Sequence, residues 1–255
     1  MVSSDKIAMA INVHADPLLA RANVNCLQIN VTNNIQMLIE ESGYNDWPLD
    51  KFSDIKTIKG FKHDYRRNPY RNVFYNLMET YKLYPDMDWY GYTESDNFIL
   101  SDLIKLDLSL MNEKYQLVAT DFRPVFCDGY TFHKIFEHVI RSHYCILGCC
   151  YFIGNKLMKE LCEIYIPKFL SYATLIPDCY YFPNFYQYDI AEVFLPTLCC
   201  YLNYNVFNLS SWKVKEFVGM SHLYKMRFKP NMEKRDMKEN VCIIHAIKDR
   251  KIIFE

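Results

Sequence analysis

Trp89-Tyr90-Gly91-Tyr92-Thr93-Glu94-Ser95-Asp96-Asn97 opens as a strand and closes as an acidic loop. The aromatic segment from Asp88 to Tyr92 suits a pleated, buried surface. Glu94 and Asp96 stand two positions apart, and in an extended segment such residues project to one side. Two carboxylates so arranged can share a hard divalent cation, Mg2+ or Mn2+, which favours oxygen ligands. Immediately upstream lies the clearest helix of the chain. Asn68 suits its N-cap and Pro69 its first position. Val73, Phe74, Leu77, Met78 and Tyr81 form one apolar face, and Pro85 stops the helix. A second acid-x-acid triplet, Asp86-Met87-Asp88, precedes the strand instead of ending it and reads as a polar turn.

Further towards the start, Ile7 to Val13 is a short apolar run followed by the turn-prone His14-Ala15-Asp16-Pro17, a strand and its loop. Leu18, Leu19, Ala22 and Cys26 have helical spacing within Leu18 to Ile29. Asn34 to Ile39 is a second strand, ending in Glu40-Glu41-Ser42-Gly43, and Thr57 to Phe61 a third. Beyond the acidic loop, Ser101 to Met111 reads as a helix capped by Ser101, and Tyr115 to Thr120 as a strand. This alternation predicts an α/β fold whose mainly parallel sheet is covered on both faces by helices. The second half is less regular. Tyr144 to Ile153 reads as a buried strand and Lys156 to Phe169 as an amphipathic helix. Ile190 to Leu202 reads as a helix that Pro196 interrupts, and Val241 to Ile244 as a last strand leading to His245. In such a sheet, ligands bind beyond the carboxyl ends of the strands, where Glu94 and Asp96 fall.

The chain has 255 residues, 51% of them hydrophobic and 23% charged, enough for one well-buried α/β domain. A net charge of −1 with scattered Lys and Arg gives no basic footprint for nucleic acid. Seven glycines, none in a GxGxxG or GxxxxGK[ST] pattern, exclude a glycine-rich phosphate loop. Any nucleotide must then be held by side chains, a metal or ordinary backbone. The ten cysteines sit largely in apolar runs, without CxxC or zinc spacing, and read as buried reduced thiols of a cytoplasmic protein. No targeting signal is evident. The longest apolar run, Tyr144 to Ile153, is about half the roughly 20 residues of a spanning helix. No transmembrane segment is therefore expected, and peripheral membrane contact stays open.

The stretch from Asn68-Pro69-Tyr70-Arg71-Asn72 to Glu94-Ser95-Asp96-Asn97-Phe98 resembles the heart of the GT-A glycosyltransferases. In that family an Arg-Asn pair opens a helix leading to a strand that ends in Asp-x-Asp; here Glu94 replaces the first Asp. Tyr188-Asp189-Ile190-Ala191-Glu192 through Pro196-Thr197-Leu198 resembles the segment carrying the catalytic base of inverting members. His245-Ala246-Ile247-Lys248 resembles the family's His-Pro-x-Lys, with Ala246 in place of Pro. The resemblance implies a single GT-A, Rossmann-like domain over 1–255. Residues 1–120 would form its nucleotide-sugar-binding half, and 121–255 a mixed acceptor-binding and catalytic-base half.

It also implies roles. Asp96, Glu94 and His245 would ligate Mn2+ or Mg2+. His14, Asp16, Glu40, Arg67, Arg71, Asn72, Glu94 and Ser95 would contact the donor, a UDP- or GDP-linked sugar. Glu192, or failing it Asp189, would deprotonate the acceptor hydroxyl, which belongs to a glycan, a lipid-linked molecule or a protein. The course would then be inverting. A retaining course remains open if Glu192 only caps its helix, since Asp189-x-x-Glu192 is also a capping pattern. His14 and Asp16 read equally as turn residues, Arg67 and Arg71 as surface residues, and His245 as a strand-end histidine. The cluster Tyr180-Tyr181-Phe182 with Phe185, Tyr186 and Tyr188 suits stacking on acceptor sugar rings or a tyrosine-rich core. The alternative functions are a sugar nucleotidyltransferase, which usually carries a glycine-rich first loop, and a GT-A-like binding module without chemistry.

Overall fold

The computed structural model describes residues 2–13, 16–62, 69–99, 102–125, 132–137, 139–172, 179–181, 187–208 and 243–244. The strands are β1 (Ile7–Val13), β2 (Ile35–Ile39), β3 (Lys56–Lys59), β4 (Trp89–Glu94), β5 (Phe98–Ile99), β6 (Tyr115–Val125), β7 (His143–Gly154), β8 (Cys179–Tyr181), β9 (Gln187–Asp189), β10 (Asn205–Asn208) and β11 (Ile243–Ile244). The helices are α1 (Pro17–Asn30), α2 (Pro69–Leu83), α3 (Leu103–Leu110), α4 (His133–Phe136), α5 (Asn155–Glu160), α6 (Ile166–Ser171) and α7 (Ile190–Tyr201).

Seven strands form one sheet in the order β10-β6-β7-β4-β1-β2-β3. β4, β1, β2 and β3 are mutually parallel, β7 runs antiparallel to both neighbours, and β10 is parallel to β6. The expected α/β class is therefore present, with the parallel half built by the first part of the chain and the mixed half by the second. All seven residues of β1 are buried, as a central strand covered on both faces requires.

Alternation along β1 divides the core in two. Ile7, Met9, Ile11 and Val13 face the layer containing Leu19, Val24 and Leu27 of α1 and Ile104 and Leu108 of α3. Ala8 and Ala10 face the opposite layer, with Phe74 and Leu77 of α2 and Phe169 and Phe194. The two alanines leave room for α2 to lie close on the sheet, where the Phe74, Phe169 and Phe194 rings meet edge to face at 4.8 to 5.7 Å. Gly91 is needed for a similar reason. A Cβ there would lie 2.2 Å from Met9 Sδ and 2.9 Å from Phe152.

Several elements differ from the sequence expectation. The helix expected over Lys156 to Phe169 is α5 and α6 joined by a π turn, Leu161–Tyr165. Pro167 has no N–H to offer the Glu163 carbonyl, and the wider turn precedes it. Conversely α7 continues through Pro196 without interruption, because Phe194, Leu195 and Leu198 are fully buried around it and packing outweighs the lost helical bond. β6 extends past the expected Thr120 to Val125, pairing with β7 through two register shifts. The short strands β5, β8, β9 and β10 carry too few residues for periodicity to reveal them. Six cysteines are free thiols among the described residues, four of them buried. No described helix is long and apolar enough to cross a membrane.

Candidate functional site

The parallel ladders bring four strand ends to one edge. Val13 lies opposite Ile39, Ile39 opposite Lys59, and Asn12 opposite Glu94. From β1 the chain winds outward through β2 to β3, then crosses back to β4 on the other side of β1. The switch of direction therefore falls between the carboxyl ends of β1 and β4, where an open α/β sheet leaves a crevice for ligands.

The acidic segment occupies that crevice edge. Glu94 is the last residue of β4 and is half-buried. The Ser95 N–H donates to the Asn12 carbonyl at 3.0 Å, extending the ladder by one step, and the Asn97 N–H returns to the Glu94 carbonyl at 3.1 Å. Residues 94–97 thus form a hydrogen-bonded turn. This corrects the extended geometry expected from sequence: the alternation that puts residues two apart on one side ends at Glu94, and Asp96 takes its direction from the turn. Asp96 is 3% exposed and Ser95 fully buried. Ser95 Oγ has no hydrogen-bond partner among the described residues.

The turn is held from outside by Asn23 of α1, fully buried, whose Nδ2 donates to the Glu94 carbonyl at 3.1 Å and also to the Asn97 carbonyl. Asn30, two turns further along α1, donates to the Ile99 carbonyl at 2.8 Å. Asp16 caps α1, its Oδ1 accepting from the Leu18 N–H at 3.0 Å.

On the opposite face, α2 presents a polar stripe at every fourth residue: Asn72, Asn76 and Thr80, all buried. Asn72 clamps the backbone beyond β3, accepting from the Phe61 N–H at 2.7 Å and donating to the Phe61 carbonyl at 3.2 Å. This fixes the first turn of α2, with half-buried Arg71, at the carboxyl edge of the sheet. Asn76 Nδ2 donates to the Ile11 carbonyl at 3.0 Å and to Asn12 Oδ1 at 2.8 Å. Gln36 of β2 donates to Asn76 Oδ1 and Thr80 Oγ1, each at 3.2 Å. Sequence reading took the apolar face of α2 and passed over this stripe. Its signals were the four-residue spacing and single polar residues, Asn12 and Gln36, inside apolar strands.

Other candidates fall into three groups. Glu40 directly follows β2, at the same sheet edge. Glu192 is half-buried in the first turn of α7, and Asp189 ends β9 just before that helix. The middle of α7 is tied to β7, Thr197 Oγ1 accepting from the Tyr144 N–H at 3.1 Å. His14, Arg67 and His245 lie outside the described residues, as does the cap residue Asn68. The segment just before His245 is described: β11 pairs antiparallel with β5, Ile244 opposite Phe98. Asp86 and Asp88 flank the amino end of β4, away from the crevice, as a polar turn should.

Among the described residues no group of three or more His, Cys, Asp or Glu side chains is arranged to hold a metal. The donors at the turn are two carboxylates, Glu94 and Asp96, with the buried Ser95 hydroxyl between them. An all-oxygen set of one or two carboxylates suits Mg2+ or Mn2+ that takes its remaining ligands from water and substrate phosphate, and does not suit a softer metal.

No family model and no curated protein matches the sequence. Solved structures with a similar fold include both nucleotidyltransferases and glycosyltransferases. A cytidylyltransferase from Leptospira borgpetersenii is 11% identical, with 67% of this chain and 73% of that chain covered and a TM-score of 0.39. A glycosyltransferase from Streptococcus pneumoniae is 11% identical, with 96% and 55% covered and a TM-score of 0.42. A glycosyltransferase involved in glycosylation of the major capsid of PBCV-1 is 9% identical, with 95% and 93% covered and a TM-score of 0.39. Similarity at this level does not distinguish the two enzyme classes.

Proposed function

We propose that this chain is a metal-dependent transferase acting on nucleotide-activated sugars, and within that class a glycosyltransferase that moves the sugar of a UDP- or GDP-linked donor to an acceptor hydroxyl. The observation that carries the reading is the position of the acidic turn: Glu94, Ser95 and Asp96 stand at the strand-order switch, tied to α1 by the buried Asn23 amide and to β1 by the Asn12 carbonyl. The β5–β11 pairing supports the third ligand, since Ile244, the neighbour of His245, is opposite Phe98, two residues after Asp96.

In this reading Asp96 and Glu94 hold Mn2+ or Mg2+, and His245 completes the set. The ion, when bound, neutralises charge on the departing nucleoside diphosphate. Arg71, in the first turn of α2, meets a phosphate oxygen, aided by the positive end of the helix dipole. Glu40 and Asp16 border the nucleoside. Glu192 takes the proton of the acceptor hydroxyl as that oxygen attacks the anomeric carbon, so the product has inverted configuration. The acceptor is a glycan, a lipid-linked molecule or a protein.

A sugar nucleotidyltransferase would use the same crevice. The first-strand loop speaks against it, because His14-Ala15-Asp16 contains no glycine. The deciding experiment offers the protein UDP- and GDP-sugars with Mn2+, and separately nucleoside triphosphates with sugar 1-phosphates. Release of nucleoside diphosphate supports the glycosyltransferase, release of pyrophosphate replaces it with the nucleotidyltransferase, and neither product leaves a binding module.

A further inference from the structure

The buried amides between α2 and the sheet form a chain with a fixed direction. Its polarity is set by two backbone carbonyls, which can only accept. Gln36 Nε2 faces the Asn76 carbonyl at 3.3 Å, so the nitrogen, not the oxygen, of the Gln36 amide points towards Asn76. Asn76 Nδ2 faces the Ile11 carbonyl at 3.0 Å, so Asn76 must direct its Oδ1 back to Gln36 and its Nδ2 forward. The same Nδ2 reaches the Asn12 side chain at 2.8 Å, which commits Asn12 Oδ1 as the acceptor. Rotating Gln36 or Asn76 would set oxygen against oxygen at a buried contact, and rotating Asn12 alone would set nitrogen against nitrogen.

One consequence is local to the crevice. With Oδ1 turned inward, the Asn12 Nδ2 is turned outward. It donates to no described residue, although Asn12 is only 9% exposed. Asn12 is the register partner of Glu94 and lies on the same sheet face, the face of α2. A mostly buried amide donor therefore stands beside the acidic turn with no acceptor among the described residues. Solvent reaches this edge of Asn12, so a ligand oxygen placed there takes over the donor from water.

We propose that Asn12 is a ligand-positioning residue, whose Nδ2 donates to a phosphate or ribose oxygen of the nucleoside diphosphate, and that Gln36 and Asn76 serve to keep that donor facing outward. This rests on the proposed function, because it takes the ligand to be a nucleoside diphosphate at the β1–β4 crevice. Glu94 and Asp96 supply negative charge for a cation, and Asn12 supplies what they lack, a neutral donor for an oxygen that the cation leaves free.

The test is calorimetric titration of UDP and of GDP, each with Mn2+, together with Mn2+ alone and a melting curve for each protein. Asn12→Asp keeps the inward acceptor for Asn76 and replaces the outward donor by oxygen. Asn12→Ser is the second variant should Asn12→Asp not fold. The wild type binds one of the nucleotides. In either variant that affinity falls roughly tenfold or more, as expected for one hydrogen bond to a charged group, while affinity for Mn2+ alone does not fall. Asn76→Asp, which turns the Asn12 amide round, produces the same loss without touching the ligand. A folded Asn12 variant that binds the nucleotide within twofold of wild type overturns the assignment and leaves the proposed function standing. A wild type that binds neither nucleotide overturns both.

Discussion

Asn12 and Glu94 form the last register pair of the parallel β1–β4 ladder, and the Asn12 carbonyl accepts the very next amide, Ser95 N–H, at 3.0 Å. The first strand therefore governs the geometry of the acidic turn through its backbone, while its side chain is governed by α2. A change at any of these points should be felt as a change in ligand binding as well as in stability.

Asp96→Ala should abolish the Mn2+-dependent part of nucleoside diphosphate binding. Titration of UDP and GDP with and without Mn2+ checks this. A variant whose affinity still rises on adding the metal would remove Asp96 from the ligand set.

Asn23→Leu should destabilise the protein by about 2 kcal/mol, since two carbonyls, of Glu94 and Asn97, lose a buried donor. Urea unfolding measures the stability. Metal affinity should fall in parallel, because the turn loses its hold on α1; the conservative Asn23→Gln should not restore it, its extra methylene displacing the amide.

Gly60→Ala tests the clamp beyond β3. The added Cβ would lie 2.8 Å from Asn72 Oδ1 and 2.4 Å from Leu38 Cδ2, where Leu38 is fully buried. A loss of about 1–3 kcal/mol is expected from overpacking, read as a lower urea midpoint at unchanged slope.

Glu192→Gln should retain donor binding and lose transfer, the combination expected when a base is removed from an intact site. Product formation from a responsive donor–acceptor pair, alongside donor titration, separates this from a helix cap. Gln preserves much of the capping capacity, so an active Gln variant would assign Glu192 to the helix alone.

Alkaline titration should reveal the buried thiols. Burial pushes the Cys150 thiol from 9.0 up to about 12, and pushes Cys162 and Cys199 upward as well. Above about pH 9 the unfolded chain loses these protons while the folded chain keeps them, so the unfolded state binds fewer protons and stability must fall as pH rises. The fall runs from about pH 9 towards pH 12, at up to about 1.4 kcal/mol per pH unit for each such thiol. Urea midpoints at pH 8 and pH 10 measure it. The Cys150→Ser variant should lose part of the dependence.

Most of the sheet was legible because β1, β2, β4 and β7 are predominantly apolar or aromatic and the two longest helices, α1 and α2, carry clear stripes. Thr57 to Phe61 was placed within a residue or two of β3, and Glu94 at a strand end. The amide chain was not legible, since Asn12, Gln36, Asn76 and Thr80 are far apart in sequence and none is a motif. Only the packing of α2 on Ala8 and Ala10 unites them. The Glu94–Asn97 turn was hidden for a related reason. What closes it is the side chain of Asn23, more than seventy residues earlier, which no local pattern announces. The strand expected over Val241 to Ile244 is present as β11, but its pairing with β5 was missed because the two residues of β5 give no period and the partnership is purely tertiary.

That partnership has a kinetic side. β5 and β11 are separated by over half the chain, so joining them closes one of the largest loops in the molecule, at an entropic cost that grows only slowly with its length. Contacts of such range raise the contact order of the fold, which slows folding. Because β11 lies so far along the chain from the acidic turn, the turn is synthesised well before the strand that comes to flank it.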